Sequence, residues 1–113
     1  MAVLQGSVSV AASSVNDNIL TGSQFEFMPF DGQVNFYLVG DANAADLRLD
    51  VYSGQDTLME NGQVSAQARI PIRPDDLTLT DIAATGERLK VRVRNTSAAG
   101  ARTIYYAVEI AAI

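Results

Sequence analysis

The chain is expected to fold as an all-β protein, a single antiparallel β-sandwich of about eight strands with jelly-roll or Ig-like Greek-key topology. Two observations predict this. Apolar residues alternate with polar ones in run after run, the period of a strand with one buried face. Between the runs stand Gly, Asn, Asp and Pro clusters, and no segment keeps apolar residues at helical spacing for several turns.

In order, Val8 and Val10 alternate with Ser7 and Ser9, and Phe25 and Phe27 with Gln24 and Glu26 up to Pro29. Val34, Phe36 and Leu38 follow, after an Asp31-Gly32 turn. Leu47, Leu49 and Val51 alternate with Arg48, Asp50 and Tyr52. Asn61-Gly62 is the strongest hairpin signal, between Leu58-Met59 and the run Val64, Ala66, Ala68, Ile70. Leu77 and Leu79 make a shorter run, and Asp81–Thr85 reads as one helical turn stopped by Gly86. The clearest alternation is the last: Leu89, Val91, Val93, then Ile104, Tyr106, Val108, Ile110. Gly40–Ala45, Ser53–Asp56, Pro71–Asp76 and Asn95–Gly100 are the remaining loops. Residues 1–113 read as one domain, with 1–22 as an extended N-terminal arm.

Composition narrows the chemistry. At 48% hydrophobic and 19% charged residues the chain is globular rather than disordered. Without Cys, His or Trp it has no thiolate or imidazole metal ligand, no disulfide and no Ser/His or Cys/His pair. A net charge of −5 argues against a nucleic-acid partner. No signal-peptide pattern or long apolar run is present, so a soluble protein without a membrane partner is expected. Carboxylate-only catalysis would need a deep cleft with aromatic platforms, so no enzyme activity, catalytic residue or cofactor is expected.

The last two runs read as a hairpin. If Leu89, Val91 and Val93 lie beside Val108, Tyr106 and Ile104, the outer face pairs Arg94 with Thr103, Arg92 with Tyr105, Lys90 with Ala107 and Arg88 with Glu109. Arg88, Lys90, Arg92 and Arg94 would then line one face over roughly 20 Å. Such a row is either a solvated strand or a contact strip for an acidic surface. Residues 1–68 hold eight acids and one base, and 69–113 five acids and seven bases, so the molecule is electrically polar if its two ends occupy different surfaces.

Other candidates read more simply. Asp41, Asn43 and Asp46 offer oxygen ligands of the kind Ca²⁺ takes, but lack the alternate-residue spacing of a calcium loop and fit an Asx-rich turn. Asp75 and Asp76 with Asp81 form another acidic group, of which Asp76 and Asp81 fit caps or ends of local turns. No metal ligand set is therefore assigned. Asn95-Thr96-Ser97 matches a glycosylation acceptor and fits a turn. Parity sends Tyr37, Tyr52 and Tyr105 outward and Tyr106 inward, and exposed tyrosines would suit either a sugar or a protein interface. The apolar end Ala111-Ala112-Ile113 is either tucked into the core or buried by an assembly.

The stretch Arg69–Asp76, then Gly86-Glu87-Arg88-Leu89 and Val93-Arg94-Asn95-Thr96-Ser97, resembles small β-sandwich virion proteins of bacteriophages, of the capsid decoration or cement type. The resemblance implies a non-enzymatic structural protein that is made in the host cytoplasm and sits on the outside of a capsid shell. There it would reinforce capsomer contacts, with the major capsid protein or other virion subunits as partners, as a homo-oligomer such as a trimer. The expected contact residues are Arg88, Lys90, Arg92, Arg94, Tyr105 and Ile113. The alternatives are a carbohydrate- or receptor-binding module of a phage tail or fibre, and a small jelly-roll shell subunit.

Overall fold

A computed structural model describes residues 2–23, 26–72 and 75–113. They form β1 (Ala2–Val10), β2 (Val15–Asn16), β3 (Gly32–Gly40), β4 (Leu47–Ser53), β5 (Asp56–Gly62), β6 (Ser65–Ala66), β7 (Leu77–Ala83), β8 (Leu89–Asn95) and β9 (Arg102–Ala112). One 3₁₀ turn, Ala44–Asp46, leads into β4. The protein is all-β, in two sheets. One has the order β1-β9-β3-β6, with β7 also on β3, and the other runs β2-β8-β4-β5.

The inner faces of both sheets meet in one core, an arrangement compatible with a β-sandwich. Val34, Phe36, Leu38, Ile104, Val108 and Ile110 come from one sheet, and Leu47, Leu49, Val51, Leu89, Val91 and Val93 from the other. All are at most 2% exposed. Each such side chain contributes roughly 1.5–3 kcal/mol relative to exposure, which is why the period-two pattern was readable in these strands.

The pairing is nested. β1 pairs with β9, β2 with β8, β3 with β7 and β4 with β5, all antiparallel. The chain is in effect one long hairpin closed at Gly54 (φ +58°) and rolled up so that β9 also meets β3 and β8 also meets β4.

This corrects the expected C-terminal hairpin. β8 and β9 lie in different sheets, and both edges of β9 are taken by β1 and β3. Alternation requires only that both strands turn their apolar residues inward, and stacking across the core satisfies that as well as lying side by side. The corner is fixed by Asn95, only 3% exposed. Its Nδ2 donates to the carbonyls of Val10 and Gly100, and its Oδ1 accepts the Ser97 N–H.

Other expectations also change. Asn61-Gly62 is a bulge in β5, not a hairpin turn: Asn61 (φ +53°) donates its N–H to Asp50 Oδ1, and the register skips between Leu49–Gly62 and Val51–Met59. The run Val64–Ile70 keeps only the short β6, parallel to the end of β3. It then breaks where the amides of Gln67 and Ala68 both donate to Gly40 O and Ala68 adopts φ +51°. Asp81–Ala83 extends β7 rather than starting a helical turn. Asp31-Gly32 joins no hairpin, and Phe27 makes one isolated bridge, to Arg88. Gln24 and Phe25 lie outside the described residues, as do Arg73 and Pro74 of the Pro71–Asp76 loop. The expected arm divides: Ala2–Val10 is a full sheet strand, and the segment after it runs along β8.

Candidate functional site

Lys90, Arg92 and Arg94 leave the outer face of β8, with Arg88 just before the strand, because Leu89, Val91 and Val93 claim the core. The row exists as the parity argument places it, but its neighbours differ. β4 lies alongside, setting Tyr52 opposite Lys90, Asp50 opposite Arg92 and Arg48 opposite Arg94.

Each cation meets a specific group. Arg88 Nε donates to Glu26 Oε2 at 2.8 Å. Lys90 Nζ stands 5.6 Å from the centre of the Tyr52 ring, a cation–π distance. Arg92 Nε is 3.7 Å from Asp17 Oδ1, and Arg94 Nε is 3.7 Å from Asp50 Oδ2. Arg94 also donates from its terminal amino group to Asn61 Oδ1 at 2.9 Å. The Nε atoms of Arg92 and Arg94 make no hydrogen bond and are shielded from solvent. The expected pairs Arg92–Tyr105 and Arg88–Glu109 are replaced by Lys90–Tyr52 and Arg88–Glu26.

Acids of the N-terminal half thus sit against bases of the C-terminal half, so the two charge populations interleave on this face instead of separating. The Glu26 carboxyl is held below the usual carboxylate range, first by the Gly22 N–H and then by Arg88. Tyr105 is elsewhere: on β9, in the other sheet, with Ser7 and Val39 as cross-strand neighbours. Ile113 lies beyond the end of β9, 74% exposed, with its N–H donated to Asp31 O. The predicted contact residues therefore fall in three places: the outer face of β8, the opposite sheet and the chain end.

The remaining tyrosines do not form a common surface. Tyr37 points away from the inter-sheet core as expected, yet is 2% exposed and donates its hydroxyl to Glu109 Oε1 at 2.6 Å. Tyr106 packs against the core. The carboxylates of the Asp41–Asp46 loop face protein donors. Asp41 accepts the amides of Asn43 and Thr103, and Asp46 accepts Arg102 Nε at 3.0 Å. Asp76 accepts the Ile72 amide and Arg69. Among the described residues no pocket and no metal-ligand cluster is found.

Sequence reasoning missed Asn18. Buried at 5% exposure, its Oδ1 accepts the amides of Leu20 and Val91 while its Nδ2 donates to Leu89 O. With Ile19 N–H on Val91 O, Leu89 N–H on Glu26 O and Asn95 N–H on Ser14 O, it clothes the edge of β8. The apolar pair Ile19-Leu20 in an otherwise polar stretch was its one sequence signal.

No family model, curated protein or solved structure matches this chain.

Proposed function

We propose that the chain is a non-enzymatic jelly-roll protein of the virion, docking on the outside of a phage capsid shell and reinforcing contacts between capsomers. The observation that carries this reading is the nested strand order, a hairpin rolled into two sheets, because double-sheet rolls of this kind recur in viral coat proteins. The described surface has no pocket, which favours work done by broad contact over work done in a cleft. The Arg88, Arg92 and Arg94 side chains keep 44%, 39% and 36% of their surface exposed to a partner, and Ile113 is exposed for burial in an assembly. The sugar-binding alternative has less support, since Tyr37 is buried and Tyr52 and Tyr105 occupy different sheets. A shell subunit that builds the container itself would share the strand order.

The test is co-sedimentation with purified capsid shells of the parent phage. Saturable binding that falls as salt rises is expected, weakened severalfold in a Lys90→Gln/Arg92→Gln double variant whose melting matches the parent. Failure to pellet with shells at low salt would remove the reading.

A further inference from the structure

We propose that the free edge of β1 is a self-association surface, pairing antiparallel with β1 of a second copy about a two-fold axis at Gly6. Among the described residues β1 pairs with β9 alone, in unbroken register from Ala2–Ile110 to Val10–Arg102. Its other edge therefore presents the row of alternating N–H and C=O groups that another extended strand satisfies.

The other long edges among the described residues are guarded, and the end strands β2 and β6 are only two residues each. β5 carries Asp56 and Glu60 and two register shifts, β7 carries Asp81 and a shift opposite Phe36–Tyr37, and β8 is clothed by the segment around Asn18. β1 has no such device. Its nine residues, Ala-Val-Leu-Gln-Gly-Ser-Val-Ser-Val, contain no charge and no proline, and they span roughly 30 Å at about 3.3 Å each.

The occupant follows from the strand's own pattern. Centred on Gly6, an antiparallel pair sets Leu4 against Val8, Ala2 against Val10, Val3 against Ser9 and Gln5 against Ser7 of the other copy. Every core-facing residue meets a core-facing one, so both faces of the sheet continue across the junction. Leu4 and Val8 pack against the core yet remain half-buried at this edge, and each would be covered by its counterpart. Self-pairing brings any charge on a strand close to its own copy, so a strand without charges is suited to it. The contact is isologous and closes at two chains.

This inference is independent of shell docking, and salt separates the two. Association through an uncharged edge between molecules of net charge −5 holds or strengthens as salt rises, whereas docking through the cationic row weakens.

The experiment is sedimentation equilibrium on the full chain. Mass should rise with concentration from 12.1 kDa toward twice that value. In a Gln5→Lys/Ser7→Lys variant lysine faces lysine across the axis, and the dissociation constant should rise at least about tenfold, while melting confirms the fold. A Gln5→Lys/Ser7→Glu variant places opposite charges at the same contacts and should restore the dimer. A wild-type chain that stays monomeric up to about 1 mM would overturn the proposal. So would a mass unchanged by the two lysines, or a lysine–glutamate variant no better than the double lysine.

Discussion

β8 and β1 both show alternation in sequence, β8 throughout and β1 from Ser7 to Val10, and they meet different fates. Both alternate in burial along their length, β8 with Leu89, Val91 and Val93 inward and β1 with Leu4, Val8 and Val10 inward. β8 sits between β2 and β4, with Asn18 and its neighbours completing its hydrogen bonds, and Leu89, Val91 and Val93 are wholly buried. β1 has one neighbour, and its inward Leu4 and Val8 stay half-buried. Alternation reports which face a residue takes. The completeness of burial is set by what lies beside the strand, and that is decided far away in sequence.

The sharpest test of this contrast is a matched pair of truncations. Leu89→Ala removes a fully enclosed side chain and should cost about 2–5 kcal/mol, by the lost transfer energy plus the cavity left behind. Leu4→Ala should cost no more than about half of that, since its site is already partly open to water. Urea unfolding of both variants checks the ratio. Equal losses would mean that the β1 edge is covered in solution, and dilution should then separate them again.

The next largest effect concerns the clothed edge. Asn18→Ala leaves the amides of Leu20 and Val91 and the carbonyl of Leu89 without their side-chain partner. A loss of about 1–3 kcal/mol is expected. Faster amide exchange should be confined to residues 14–28 and β8. Gln5→Ala, at an exposed position of β1, should stay within about 0.5 kcal/mol of the parent.

The same contrast explains what could be read beforehand. The inward and outward residues of β3, β4, β8 and β9 were legible because hydrophobic burial acts on each residue separately and leaves its period in the chain. Partnership was not. A strand with apolar residues on one face satisfies that constraint beside its sequence neighbour or across the core from it, so the β8–β9 hairpin was a natural but wrong inference. The bulge at Asn61-Gly62 has the residues of a turn because both need positive φ. The cationic row was readable from parity, whereas its acidic neighbours Asp17, Glu26 and Asp50 come from segments that only the rolled topology brings alongside.

Acid should loosen the loop clasps before it touches β1, which holds no ionisable side chain. Three clasping carboxyls lie below their usual range. Asp31 is lowered by the Thr85 amide and hydroxyl, Glu26 by the Gly22 amide and then Arg88, and Asp76 by the Ile72 amide and then Arg69. A depressed folded pKa contributes stability that is present above the unfolded value and lost as pH falls through the folded one. Stability should therefore be flat near neutrality and decline below about pH 4, where unfolded carboxyls begin to protonate. Amide exchange should report opening near Gly22, Ile72 and Thr85 ahead of the β1–β9 ladder.

The smallest effect separates two cations of the same row. Arg88 and Glu26 meet at 2.8 Å with Glu26 only 13% exposed, whereas Arg92 and Asp17 stand 3.7 Å apart with Asp17 85% exposed. A double-mutant cycle should give measurable coupling for the first pair and close to zero for the second, because solvent screening and side-chain entropy cancel a loose ion pair. Arg92 is then the cation of the row that a partner could redirect at least cost, while moving Arg88 would first release Glu26 and the turn at Gly22. Coupling that is equal in the two pairs would mean that the geometry of the row does not rank its members, and shell docking would have no reason to depend on Arg92 more than on Arg88.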